Sequence, residues 1–201
     1  MSENHFVLLS ERDGAYPRPQ LLRRRWTDLS GRWQFARQRA GNPNYVKFDQ
    51  EITVPYPPES PASGVAQQDY LHEVWYRREL AADDLARAGL GDQGERMLLH
   101  FGAVDYRADV WLAGMYLGSH TGGQTPFHFD ITEAIKNRSG PLELTVRAQD
   151  DPHDVSMPRG KQDWKLEPHS IWYHRTTGIW QPVWLEAVPT QRVAELSWTT
   201  D

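Results

Sequence analysis

Leu142-Glu143-Leu144-Thr145-Val146-Arg147 alternates apolar and polar side chains without a break. A period of two puts Leu142, Leu144 and Val146 on one face of an extended chain and the polar three on the other, which reads as a half-buried β-strand. Glu73–Leu80 has the same character, with Val74, Tyr76 and Leu80 on one face and Trp75, Arg77 and Glu79 on the other. Val110-Trp111-Leu112 and Met115-Tyr116-Leu117 flank Ala113-Gly114, which predicts a hairpin closed by a tight turn. Further strands are expected at Trp33-Gln34-Phe35, Ile52-Thr53-Val54 and residues 97–101, 127–131, 179–187 and 192–198. Helix is limited to single turns, one at 83–87 capped by Asp83 and one at 132–136. About ten short strands with frequent turn signals predict an all-β fold, an antiparallel jelly-roll β-sandwich. Its core is expected to hold Trp33, Tyr76, Phe101, Val110, Leu112, Phe127, Leu144, Val146 and Val183.

Composition agrees with this reading. The 201 residues include 15 Gly and 14 Pro, enough to interrupt long helices repeatedly. The lack of cysteine excludes thiol catalysis, thiolate metal sites and redox switching. A net charge of -5 argues against nucleic acid as a partner, so Arg23-Arg24-Arg25 reads as a solvated or interface-pairing strip. No apolar run is long enough for a membrane span, so no membrane partner is expected. The opening Met-Ser-Glu-Asn-His has no basic or apolar region of a signal peptide, which leads to the expectation of a cytoplasmic protein. The first thirty residues, with Tyr16-Pro17-Arg18-Pro19 barring helix, read as an extended arm.

Function is sought in two long loops, 41–68 and 150–174, because long loops on a rigid scaffold carry binding residues disproportionately. Gly-x-Ser-x-Gly, phosphate loops, dinucleotide fingerprints and His-Glu-x-x-His are all absent. Asp150-Asp151-Pro152-His153-Asp154 has the oxygen donors of a calcium site, yet Asp before Pro more simply caps a turn. His169 and His174 lie close enough in one loop to chelate, but they read more simply as ordinary loop histidines, so neither metal nor cofactor is expected. Trp164, Trp172, Tyr173 and Trp180 stand among Lys161, Gln162, His169, His174 and Arg175. Aromatic faces stack on sugar rings and the polar neighbours bond hydroxyls, so this loop suits either sugar contact or packing on a neighbouring domain.

Several stretches, in order, resemble one family: Tyr16-Pro17-Arg18-Pro19-Gln20, Val74-Trp75-Tyr76-Arg77-Arg78, His100-Phe101-Gly102-Ala103-Val104-Asp105-Tyr106 and Gly118-Ser119-His120-Thr121-Gly122-Gly123-Gln124-Thr125-Pro126-Phe127. Pro158-Arg159-Gly160-Lys161-Gln162 and Thr177-Gly178-Ile179-Trp180-Gln181-Pro182-Val183-Trp184-Leu185-Glu186 complete the set. Together they resemble the N-terminal sugar-binding domain of glycoside hydrolase family 2, which includes β-galactosidases, β-glucuronidases and β-mannosidases. The resemblance implies a galactose-binding-domain-like jelly roll over residues 16–188, preceded by an N-terminal arm at 1–15. Residues 189–201 become a final strand or the start of a linker to an immunoglobulin-like domain, beyond which the family carries a catalytic barrel. The family's acid/base glutamate follows asparagine, whereas Asn4, Asn42, Asn44 and Asn137 precede His, Pro, Tyr and Arg. The resemblance therefore implies that this chain holds no catalytic residue and, alone, hydrolyses nothing.

In the family, loops of this domain reach over the barrel mouth. An aspartate that touches substrate in typical members lies six residues before the glycine of the Gly-Ile turn, and Trp172 occupies that place here. The implied substrate-binding residues are Trp172, Tyr173, His174 and Arg175, with Glu59 from the loop after Val54-Pro55. The partners implied are a β-glycoside substrate and the remaining domains of a parent hydrolase. A free-standing carbohydrate-binding module and a purely structural interdomain or oligomerisation domain remain as alternatives.

Overall fold

The structure, a computed structural model, describes residues 14–90, 95–136, 138, 140 and 142–200. Most of the expected 1–15 arm lies outside them. In chain order the strands are β1 (Trp26–Asp28), β2 (Gly31–Arg37), β3 (Gln50–Val54), β4 (Glu73–Leu80), β5 (Glu95–Phe101), β6 (Val104–Asp105), β7 (Arg107–Leu112), β8 (Met115–Thr121), β9 (Phe127–Asp130), β10 (Leu142–Gln149), β11 (Gly178–Ile179) and β12 (Val183–Pro189). The α-helices are α1 (Ala82–Arg87) and α2 (Thr132–Ile135), and single 3-10 turns lie at Pro19–Leu21, Pro43–Tyr45 and Pro61–Ser63. A four-stranded sheet runs β1-β12-β5-β9, a six-stranded sheet β3-β2-β4-β10-β7-β8, and β11 pairs with β6. Every pairing between these strands is antiparallel. No helix among the described residues is long and apolar enough to cross a membrane.

Leu99, Phe101, Val183 and Leu185 of the smaller sheet share one buried cluster with Val74, Tyr76, Val110, Leu112, Leu144 and Val146 of the larger, so the two sheets form a sandwich. All the expected core residues are inside except Phe127, which is half-buried. It lies on the edge strand β9, stacked between Phe101 at 4.8 Å and His120 at 4.3 Å. The 107–121 hairpin turns through Ala113 (φ 48°) and Gly114 (φ 78°), the two left-handed residues that a twist-matched two-residue turn needs.

Five expectations are corrected. Trp75, assigned by alternation to the solvent face, is fully buried. Its ring stacks on Trp111 at 5.6 Å, and its indole N–H donates to the Gln38 carbonyl and the Glu73 carboxylate, both at 2.9 Å. The cap of α1 is not Asp83: the Asp84 carboxylate accepts the Ala81 N–H at 3.1 Å. The expected strand 179–187 divides into β11 and β12 around Trp180-Gln181-Pro182, where Pro182 has no N–H to continue a ladder. Residues 192–198 form no strand: the carbonyls of Val193 and Ala194 accept from Arg23 and Arg18 at 2.8 Å instead of from a neighbouring strand, and Trp198 is 86% exposed.

The described part of the expected thirty-residue extended arm is not an arm: Pro19, whose fixed φ suits the start of a helix, opens the 3-10 turn Pro19–Leu21, and β1 pairs with β12 in the smaller sheet. Tyr16 is buried edge-on against Trp26 at 5.3 Å, and its hydroxyl donates to Glu186. Glu186 also faces His100 at 3.1 Å and Arg23 at 3.7 Å, so the segment is fastened to β12 by charge as well as by packing.

Candidate functional site

Beyond β10 the chain makes the long excursion 150–177 before re-entering the sandwich at β11. Gly178 allows the re-entry, since at φ 78° a Cβ there would sit 2.1 Å from the Tyr76 hydroxyl. That hydroxyl accepts the Ile179 N–H at 3.2 Å, which ties the turn to the core.

The excursion is held from within by charged groups. The Arg175 guanidinium, 3% exposed, donates to the Asp150 carboxylate, which also accepts from the Thr177 hydroxyl at 3.5 Å. Glu59, 4% exposed, accepts the Thr177 N–H on Oε2 at 3.1 Å, while its Oε1 is buried without a hydrogen-bond partner. Asp105 accepts from the Gln162 amide at 2.8 Å, and the Gln162 carbonyl oxygen accepts the Thr176 N–H at 2.7 Å. Asp163, fully buried, takes the His169 N–H at 2.8 Å and lies 2.5 Å from the His169 Nδ1. Backbone bonds at 2.8 Å, Tyr173 N–H to Lys161 and Asp163 N–H to Tyr173, zip the two arms of the loop together.

The outward side of the loop is aromatic. Tyr173 is 66% exposed, and Trp164 tilts against the half-buried Trp172 at 5.7 Å. The five residues named from sequence therefore divide. Glu59 and Arg175 are internal struts, Trp172 and Tyr173 form the outer surface, and half-buried His174 lies between, its Nδ1 donating to the Arg175 carbonyl at 2.8 Å. The struts Asp105, Gln162, Asp163 and Thr177 are not marked by any periodicity in the sequence. Asp151 accepts the His153 N–H at 3.0 Å, and Asp154 accepts the Ser156 N–H and hydroxyl at 2.9 and 2.6 Å, which is the turn capping expected of the acidic stretch.

Burial dominates the electrostatics here. It pushes the Glu59 carboxyl up to about 7, against the opposing pull of Thr177 and Arg175, and pushes Asp105 up to about 6. An unfolded Glu59 ionises near 4.5, so between there and about 7 the folded chain binds the extra proton. This group's contribution to stability is complete below about 4.5 and is lost as pH rises through about 7. Glu59→Gln, fixed in the neutral form, is expected to flatten that fall. Melting temperatures across this window check it: a slope equal to that of the wild type contradicts the assignment.

No protein-family model matches the chain. Among curated proteins it is 31% identical over 135 residues to a β-galactosidase of Thermoanaerobacter pseudethanolicus, covering 67% of this chain and 16% of that protein. It is 30% identical over 215 aligned positions to the β-glucuronidase of Canis lupus familiaris, covering 92% of this chain and 32% of that protein. The chain thus spans about a third or less of the length of these relatives. Among solved structures, a Bifidobacterium dentium β-glucuronidase complexed with coumarin-3-O-glucuronide matches with a TM-score of 0.60 and 23% identity, over 82% of this chain and 30% of that one. A Faecalibacterium prausnitzii β-glucuronidase matches with a TM-score of 0.58 and 24% identity, over 84% of this chain and 32% of that one. These structural likenesses establish a shared β-sandwich. The sequence relationship carries it further, and the chain is a homologue of the β-glucuronidases and β-galactosidases of glycoside hydrolase family 2, corresponding to an N-terminal domain of that family.

Proposed function

We propose that this chain serves as the N-terminal domain of a β-glucuronidase- or β-galactosidase-like hydrolase, shaping the sugar pocket with loop 150–177 and supplying no catalytic carboxylate. The observation that carries the reading is the division of that loop into a buried polar interior and an outer aromatic surface made by exposed Trp164 and Tyr173 with half-buried Trp172. A surface fixed in this way suits one wall of a pocket, since its side chains need little ordering when substrate arrives. Trp172, Tyr173 and His174 are the direct contacts in this reading, and Glu59 and Arg175 position them. Retaining glycoside hydrolysis requires two carboxyl groups about 5 Å apart flanking an open substrate site. Glu59, Asp105 and Asp150 are instead buried and committed to Thr177, Gln162 and Arg175.

The purified 201-residue chain is accordingly expected to release no product from aryl β-glucuronides or β-galactosides. Turnover that survives repurification and disappears when one acidic residue of this chain is replaced would overturn the reading.

A further inference from the structure

The outer face of the six-stranded sheet carries a second polar site. Register places Glu73 opposite Gln149, Gln149 opposite Arg107, and Arg107 opposite Thr121, a row across β4, β10, β7 and β8. Their neighbours Val74, Ala148 and Ala108 are in the core, so alternation turns the row outward. Three inter-strand gaps make it roughly 15 Å long. A cavity of about 580 Å³ lies over it, flanked by Arg39 and His72 and by Asp151, Asp154 and Met157, with the half-buried Tyr106 as the aromatic residue of its lining.

The row is fixed in advance. Glu73 spends its carboxylate on three internal donors at 2.9 Å, the Ala40 N–H, the Trp75 indole and the Gln149 amide, which sets the Gln149 orientation. Asp109 binds Arg107 at 3.3 Å and Arg147 at 2.8 Å, and the Arg147 guanidinium lies 5.7 Å over the Trp75 ring. The lining carries the carboxylates of Glu73, Asp151 and Asp154 against the guanidinium groups of Arg39 and Arg107, so it lacks the surplus of cations that a phosphate or nucleic acid needs, and no group of three His, Asp or Glu side chains among the described residues is placed to hold a metal ion. Interleaved donors and acceptors beside an aromatic residue match a ligand whose every hydroxyl both donates and accepts.

The geometry points to a carbohydrate-binding groove here, taking a neutral oligosaccharide of two or three pyranose units across the four strands. It is separate from the Trp172–Tyr173 surface, and its argument does not depend on the chain belonging to a hydrolase. The test is an NMR titration of the isotope-labelled chain with cellotetraose, β-1,4-galactotetraose and xylotetraose, each to about 10 mM, a range that reveals millimolar binding. At least one is expected to shift the amides of Glu73, Arg107, Thr121 and Gln149. Arg107→Ala, and Arg39→Ala at an exposed position, should each weaken that binding about tenfold, the loss of one charge-assisted hydrogen bond. No shift with any of the three sugars, shifts confined to residues 164–174, unchanged affinity in both variants, or an equal response to inorganic phosphate would each overturn the inference.

Discussion

Replacing Arg175 with Met is expected to cost about 3–5 kcal/mol of folding stability, because it removes one partner of a buried ion pair and strands the other. Arg175 is 3% exposed and Asp150 7%, so water cannot take over the lost contact. Asp150, Glu59 and Asp105 all have raised ionisation ranges through burial, and in all three the Arg175 charge opposes that rise. Without it, three carboxyl groups must take up protons or remain buried and charged. Two consequences separate this from a general packing loss. The penalty should shrink in acid, where those carboxyls are already neutral. Adding Asp150→Asn to Arg175→Met should recover part of the lost stability, since the orphaned charge is then gone. Denaturant unfolding of both single variants and the double variant measures this coupling. A loss below about 1 kcal/mol for Arg175→Met, as for an exposed pair, would show that the loop is not held from within.

Such struts are where sequence reading stops. The strands were legible because burial on one face of a sheet imposes a period of two, and β10, β4 and the 107–121 hairpin carry that period openly. Trp75 breaks the rule because the loop bearing Gln38 and the ring of Trp111 cover the outer face just there, and neither contact leaves a local trace. Residues 192–198 alternate like a strand, yet alternation describes only what a chain could pair with, and Arg18 and Arg23 engage its carbonyls instead.

The site divides along the same line. Trp172 and Tyr173 are visible as an aromatic cluster in a long loop, and exposure is the ordinary fate of a loop tip. Glu59 and Arg175 were marked through family position, but their burial depends on partners 118 and 25 residues away, Thr177 and Asp150. Asp105 and Gln162, 57 residues apart, stand in the stretches that resemble the family, yet nothing in the sequence marks them as a pair. Long-range pairs of polar groups follow no period, so only the folded chain brings them together.

The central claim, that the loop surface forms one wall of a sugar pocket, is met most directly by steady-state kinetics on the complete hydrolase carrying Tyr173→Ala. Tyr173 is 66% exposed, so its removal should leave stability within about 0.5 kcal/mol of the wild type. A pocket wall that orients the sugar should be felt at the reacting centre, where misplacement by about 1 Å lowers rates about a hundredfold. The account predicts a loss of that order in kcat/KM on an aryl β-glucuronide or β-galactoside, with an unchanged melting temperature. Wild-type kcat/KM on both substrates, with the fold intact, would contradict it and reduce the loop to an interdomain contact.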